Sequence, residues 1–399
     1  FRQLLTLLLC SAVAHSRGEE ESCIVNNVTS CDDCNSPGGV EEQEPGVSPE
    51  TPDDYGVPQI IDDSRGVEIQ RALADMKVYI QGLRNDPTTS ADMHELLDNC
   101  KNQNEACTFW KVLGECENNP GYMKVNCAPV CQSCEMLSIE ARCPVDHEAP
   151  LAWVPGDVNQ FFVNVTSNPD FEKYEPQILS RPSYVDGDTE DTATYQIGPW
   201  VLTFDNFIND EEADRLIELG FQEGYERSAD VGKKKFDGTF DAAVNNGRTS
   251  TNAWCQNGCY NDTLAQRVIH RITEVTNIPE ENSEFLQILK YQEGQFYRTH
   301  HDLIHYQTER QPGVRIMTFY MYLNSVEEGG GTQFPKLGLE VQPKKGRALI
   351  WPSVLDEDPN AADTRMDHQA MPVKKGVKFG ANAWIHQRDF KGPNKNGCQ

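Results

Sequence analysis

The sequence predicts an α+β protein: a β-sandwich or jelly roll with supporting helices, preceded by a small disulfide-rich module. Residues 200–388 carry two amphipathic helical stretches, then short β-rich runs separated by Gly and Pro. Six of the 14 cysteines fall between Cys100 and Cys134, a segment too short to bury a large core without crosslinks. Net charge is −27, which argues against nucleic acid as the main partner, because phosphate binding needs clustered Lys and Arg.

The opening "FRQLLTLLLCSAVAHS" has an early Arg2 and an apolar run from Leu4 to Ala14. It reads as a secretory signal peptide over 1–16, too short for a normal membrane span. The chain does not begin with Met, so a longer signal-anchor stays open; a membrane role is expected only if that N-terminus is an uncleaved anchor. Gly18 to Ser64 holds 13 acidic residues, five prolines and no Lys or Arg. Such a composition predicts a solvated, disordered acidic segment over 17–66. Sequons at Asn27, Asn164 and Asn261 agree with secretion and glycosylation. With the cysteine count they favour an oxidising lumen, in the endoplasmic reticulum or the secretory pathway.

A helical segment is expected over 67–98. Ile69, Leu73, Met76, Ile80 and Leu83 recur at helical spacing and share one face. The six-cysteine module follows at 99–135. Six cysteines allow 15 pairings, and spacing alone does not choose among them. Zinc is the weaker reading, since Cys131-x-x-Cys134 has no matching second pair. Residues 136–196 read as a Pro-rich, later acidic linker. "WVLTFDNF" then reads as a strand. "NDEEADRLIELG" is a helix with Asn209 as N-cap, Glu212 closing a capping box and Gly220 at its end. "DTLAQRVIHRITEVT" is a second helix, followed by the runs "SEFLQILKYQ", "VRIMTFYMYLN", "GRALIWP" and "KFGANAWIHQ".

The chemistry concentrates in "YQEGQFYRTHHD", Tyr291 to Asp302. In an extended segment alternate side chains share a face, so His300 and Asp302 point together and His301 points away. His368 is a candidate third ligand. Two His and one carboxylate with open positions describe a non-haem Fe(II) oxygenase centre. Such a centre takes a bidentate 2-oxo acid and O2. It also wants a cation for the far carboxylate of the 2-oxo acid, which Lys378 offers; a lone Lys is otherwise mostly a surface residue.

Two resemblances extend this reading. "CTFWKVLGECENNPGYMKVNCAPVCQSC" resembles a ShK-toxin-type domain, which implies the pairs Cys100–Cys134, Cys107–Cys127 and Cys116–Cys131. Residues 200–388 resemble the catalytic domain of prolyl 4-hydroxylases, through "RTSTNAW", "LQILKYQEGQFYRTHHD", "RIMTFYMYLNSVEEGGGTQFP", "KGRALIWP" and "DHQAMPVKKGVKFGANAWIH". That resemblance implies a double-stranded β-helix over 197–390, before a C-terminal tail at 391–399. It implies that Fe(II) is held by His300, Asp302 and His368. Lys378 would bind the 2-oxoglutarate C5 carboxylate, with Tyr291 and Thr332 beside it. Tyr297, Arg315 and Trp384 would line the reaction site, and Arg248, Ser250 and Trp254 the peptide groove. "GKKKFDGTFDAAVNNG" looks like a loop that could close over the peptide. Met371 and Phe379 depart from residues many relatives carry, and neither is a proposed ligand. Cys255 and Cys259 flank "QNG" and are expected to form a local disulfide or stay reduced.

The implied activity is a procollagen-proline-type 4-dioxygenase. It would use Fe(II), O2 and 2-oxoglutarate, release succinate and CO2, and need L-ascorbate as reductant. Its partner would be a proline-rich or collagen-like polypeptide. The alternative is a secreted binding protein acting through the ShK-type module, with a different dioxygenase activity such as lysyl hydroxylation, or none. The "RTS…W" segment and Arg315 speak against lysyl hydroxylation, and the intact set His300, Asp302, His368 and Lys378 argues against a dead scaffold.

Overall fold

A computed structural model describes residues 54–183, 196–235 and 237–398. The expected signal peptide and the acidic segment up to residue 53 lie outside the described residues. The end of that acidic stretch is ordered. Val57 N–H donates to the Asn102 carbonyl at 2.8 Å and Ile60 N–H to that of Glu105 at 2.9 Å, so backbone pairing with the module outweighs local composition.

The helix Gly66–Asn85 buries Ile69, Met76 and Ile80. Leu73 and Leu83 pack beside them against module residues that include Cys107, Val130 and Cys134. The expected face therefore serves the module of the same chain. A second helix, Ala91–Asn99, starts at Ser90, whose hydroxyl accepts from Met93 N–H. Disulfides join Cys100 to Cys134, Cys107 to Cys127 and Cys116 to Cys131. Two more join Cys255 to Cys259 and Cys143 to Cys398. Five disulfides among the described residues point to an oxidising compartment.

The segment 136–196, expected as a linker, contains the helix Asp157–Ser167 and a strand. Val158, Phe161, Phe162 and Val165 lie at helical spacing and are buried, and Phe162 stacks on Trp200 with ring centroids 5.4 Å apart. The stretch is thus part of the core. The tail is anchored too, by the helix Lys391–Lys395 and the Cys398 bridge.

The strands, in chain order, are β1 (Pro176–Arg181), β2 (Gln196–Ile197), β3 (Val201–Phe204), β4 (Glu226–Arg227), β5 (Asp230–Lys234), β6 (Phe240–Ala243), β7 (Thr251–Trp254), β8 (Gln287–Tyr291), β9 (Tyr297–His300), β10 (Arg315–Tyr322), β11 (Glu328–Gly329), β12 (Thr332–Phe334), β13 (Leu339–Val341), β14 (Ala348–Pro352), β15 (His368–Ala370), β16 (Val373–Lys375) and β17 (Lys378–His386). Nine form one large sheet in the order β2-β1-β3-β14-β10-β17-β8-β7-β4, antiparallel except for β1·β2. Four form a smaller sheet, β13-β12-β15-β9. No ladder joins the two into a closed barrel among the described residues. The fold is α+β, a large antiparallel sheet with supporting helices.

Alternation along β10 divides two cores. Met317, Phe319 and Met321 join the cluster that includes the helices Asp210–Glu223 and Thr263–Thr276. Tyr320 and Tyr322 join the cluster that holds Phe334 and Val341 of the smaller sheet. The site forms on this second face.

The helix Asp210–Glu223 has the expected capping box, but it continues past Gly220. A Cβ there would lie 2.4 Å from the Tyr225 hydroxyl, so this glycine permits close packing rather than ending the helix. The capping residue Glu212 is fully buried and grips Arg271 at 2.7 and 2.8 Å. Removing either partner strands a buried charge. Glu212→Ala or Arg271→Ala should each lower unfolding free energy by about 3 kcal/mol, with Asn209→Ala costing about 1 kcal/mol. Urea midpoints at unchanged slope are the measurement.

Candidate metal and co-substrate site

The smaller sheet supplies two candidate ligands and the turn that leaves it the third. His300 ends β9 and sits directly opposite His368 in the β9·β15 ladder. Asp302 follows two residues on. One donor atom from each lies within 4.8 Å of the others. His300 Nε2 is 3.8 Å from one Asp302 oxygen, and His368 Nε2 is 3.6 Å from the other.

The remaining ring nitrogens are engaged. His300 Nδ1 meets the Arg298 carbonyl at 2.8 Å, and His368 Nδ1 meets that of Met366 at 3.0 Å. A carbonyl only accepts, so each Nδ1 carries the proton and each Nε2 lone pair is free for a metal. Thr318 reaches across from β10 and donates to Asp302 Oδ2 at 2.5 Å. Burial works against the Asp302 carboxylate, but the two imidazoles, Thr318 and Arg315 outweigh it and hold the carboxyl at about 2. The donor set fits a divalent iron with positions left open.

His301 turns away. Its Nε2 pairs with the Asp363 carbonyl at 3.0 Å, and its Nδ1 accepts from Leu303 N–H at 3.0 Å. Both nitrogens are used in holding the chain.

Lys378 opens β17, opposite Tyr291 of β8. Its side chain is 1% exposed, and its ammonium has no hydrogen-bond partner. Rings of Tyr291, Tyr320 and Tyr322 surround it at 5.2–5.3 Å, a partial compensation through cation–π attraction. Burial pulls the ammonium down to about 7. An unpaired buried cation beside an iron-type triad is what an acidic co-substrate would satisfy. Thr332 is buried here and accepts from Tyr322 Oη at 2.7 Å. A Cβ at residue 380 would meet the Tyr320 hydroxyl at 2.2 Å, so Gly380 leaves room for that ring.

Tyr297 stacks on His300, ring centroids 3.6 Å apart, and donates to Asp230 Oδ1 at 2.9 Å. Arg315 lies over the Trp384 ring at 3.9 Å. Its Nε donates to Glu284 at 2.6 Å, and Glu284 also meets His386 Nε2 at 2.9 Å. Burial opposes the Glu284 charge, but Arg315 and His386 hold the carboxyl at about 2. Trp254 is 37% exposed, its ring 6.2 Å from that of Trp384.

Two expected groove residues are interior. Ser250 is fully buried, its hydroxyl donating to that of Ser228 at 3.0 Å. Arg248 is 7% exposed; it donates to the Ala229 carbonyl and to Gln287, and lies over Tyr297 at 4.6 Å. They support site tyrosines from behind. Sequence reading missed Thr318, Tyr320, Tyr322, Asp230, Glu284 and His386. For the first three, the alternating Thr-x-Tyr-x-Tyr of β10 was an available signal.

The triad and the buried cation define a non-haem iron centre for an acidic co-substrate. Residues 286–386 match the model of the 2OG-Fe(II) oxygenase superfamily, and residues 99–134 that of ShK domain-like modules. The chain is 32% identical to "Probable prolyl 4-hydroxylase 7" of Arabidopsis thaliana over 50% of its length and 67% of that protein. It is 33% identical to "Probable prolyl 4-hydroxylase 8" of the same plant, over 48% and 70%. The solved viral collagen prolyl hydroxylase vCPH of Paramecium Bursaria Chlorella virus-1, in complex with 2OG, aligns with 47% of this chain and 97% of its own, at 26% identity and TM-score 0.38. The chain belongs to the 2OG-Fe(II) oxygenase superfamily, related to the prolyl 4-hydroxylases, with a ShK-like domain ahead of the oxygenase. It is a dioxygenase using Fe(II), 2-oxoglutarate and O2.

Two predictions follow from this geometry. His300→Ala should abolish tight Fe(II) or Co(II) binding, whereas His301→Ala should retain it, as read by metal titration. The second concerns stability. The Lys378 value of about 7 lies below its ordinary 10.5, so the folded protein binds fewer protons than the unfolded chain between those limits. This group's penalty is then full below about pH 7 and fades as pH rises. Lys378→Met without co-substrate should melt above the parent at pH 6, with a smaller gap at pH 9.

Proposed function

We propose that this protein is a peptidyl-proline 4-hydroxylase acting on proline-rich or collagen-like polypeptides in the secretory pathway. The observation that carries the reading is the unpartnered Lys378 ammonium, buried among tyrosines of the core cluster whose Phe334 and Trp351 pack on the ligand His368. Proline-rich segments hold a preformed extended helix and dock on aromatic grooves at low entropic cost. The exposed Trp254, its ring beside that of Trp384, offers such a surface.

In this reading His300, Asp302 and His368 hold the iron, and Lys378 binds the C5 carboxylate of 2-oxoglutarate, flanked by Tyr291 and Thr332. Iron and 2-oxoglutarate, when bound, supply the oxidising chemistry: O2 is split between succinate and a hydroxyl on the substrate, with CO2 released. The chain's own residues position. Thr318 fixes the Asp302 carboxylate, and the Glu284–His386 pair fixes Arg315 against Trp384. Tyr297 stacks on His300 and holds that ring. Ascorbate is the expected reductant. The two facing sheets are read as the halves of a double-stranded β-helix, with the oxygenase at 197–390 and the ShK-type module at 99–135. The sequon residues Asn164 and Asn261 are exposed, as glycan acceptors need to be.

The test is mass spectrometry of proline-rich peptides incubated with enzyme, Fe(II) and 2-oxoglutarate. A gain of one oxygen atom on proline, matched by succinate, is expected; oxidation on lysine or on no peptide would overturn the reading. Lys378→Ala should raise the half-saturating 2-oxoglutarate concentration at least tenfold while metal still binds, because one partner of a desolvated charge pair is lost. Lys378→Arg should rescue only in part.

A further inference from the structure

The sequence led us to expect residues 232–247 as a loop over the peptide. The described part of that stretch includes the β5·β6 hairpin, and this hairpin is fastened at both ends. At its base, Asp230 takes the Tyr297 hydroxyl at 2.9 Å and the Asn245 amide at 2.6 Å. Tyr297 is the ring stacked on His300, so the base of the hairpin touches the metal cluster through one side chain.

Its tip is fastened by a segment of different origin. Directly after Cys134, the last cysteine of the ShK-type module, the chain makes the short helix Ile139–Arg142. Ile139 is buried against the hairpin turn: a Cβ at Gly238 would lie 2.5 Å from Ile139 Cβ. Gly238 has φ +77°, and only glycine meets both demands without strain. Arg142 donates to the Asp237 carbonyl at 3.0 Å and to that of Met136 within its own segment. From the oxygenase side, Arg310 donates to the Gly238 carbonyl at 2.6 Å. Next to the tip, Phe240 stacks on Tyr306 at 4.1 Å. The helix Ile139–Arg142 is itself held, since Cys143 is bonded to Cys398 and both pack with Ile139.

We propose that Ile139 and Arg142 are positioning residues for the hydroxylase. They clamp the tip of the β5·β6 hairpin, so the short helix that follows the ShK-type module sets the hairpin's closed population and with it the affinity for the peptide. Neither residue touches the metal cluster; they act through Gly238 and Asp237, and the hairpin acts through Asp230 and Tyr297. The proposal rests on the peptidyl-proline reading above. A peptide that binds only the closed hairpin has an apparent affinity scaled by the closed fraction. Loosening the tip therefore raises the peptide KM, while kcat and the 2-oxoglutarate requirement, set at the triad and at Lys378, change little.

Lys233, Lys234 and Lys235 on the hairpin are exposed and provide a readout independent of turnover: trypsin cleaves there when the hairpin opens. The double variant Ile139→Ala/Arg142→Ala should raise the peptide KM about fivefold or more, with kcat within about twofold. It should also speed first cleavage at Lys233–Lys235. Gly238→Ala should do the same from the hairpin side, and adding it to the double variant should produce little further effect, because the same contact is already lost. Arg142→Lys, which keeps a donor, should recover part of the KM. Lys101→Ala, a module residue paired with Asp54, should behave as the parent in both assays. Unchanged cleavage and unchanged KM in the double variant would overturn the clamp, as would a loss confined to kcat. Failure of the parent to hydroxylate any proline peptide would overturn the functional reading alone, and the cleavage rates would still decide whether the tip is clamped.

Discussion

The centre depends on the register of one short ladder, β9 against β15. His300 faces His368 across it, and the side-chain period of two then brings Asp302 to the same face. A slip of one residue would turn His301 inward and send His300 outward. Three constraints hold the register. His301 is tied to Asp363 and Leu303 on the outer side. Each ligating ring is fixed by a carbonyl two residues before it. The Thr318 hydroxyl arrives from the large sheet to fix the carboxylate. The two histidine ligands come from one sheet and the hydroxyl that fixes the carboxylate from the other, so the site needs the two sheets to face each other even though no ladder closes them.

Much of this was legible in the sequence where the signal is local. The capping box at Asn209 and Glu212, the helical face of Ile69, Met76 and Ile80, and the shared face of His300 and Asp302 all follow from periods of 3.6 or 2. What escaped depends on pairing between distant segments. Glu284, from the segment before β8, and His386, from the end of β17, hold Arg315 through an adjacency no spacing encodes. Ser250 lies in a motif that reads as groove, and its burial is decided by how β7 packs on β8. The helix Asp157–Ser167 was obscured by the prolines and acids around it, although Val158, Phe161, Phe162 and Val165 carry a clear helical pattern. Composition averaged over sixty residues hid a pattern of eleven.

Lys378 shows a conflict between folding and chemistry. An ammonium with no hydrogen-bond partner, ringed by three tyrosines, is a poor choice for stability alone. A Met of similar length would fill the same space without a desolvated charge. The cost is tolerable because β17 is anchored along the rest of its length, paired with β10 on one side and β8 on the other. A site residue of this kind is most easily placed at the end of a strand whose remainder is apolar and fully paired.

The Cys143–Cys398 bridge spans 255 residues, and this has a consequence for biosynthesis. The three bridges of the module span 34, 20 and 15 residues, so each can close while the chain is still being translated. Cys143 has no such nearby partner. It must wait as a thiol while the whole oxygenase segment is made, beside a module that is exchanging its own disulfides. Cysteines made early and paired late are where thiolate attack scrambles bridges. Correct maturation then requires that the module finish its oxidation first and become inert, leaving Cys143 for Cys398. The loop spans favour oxidation ordered from the N-terminal side, with a disulfide-exchange catalyst of most use at this last closure.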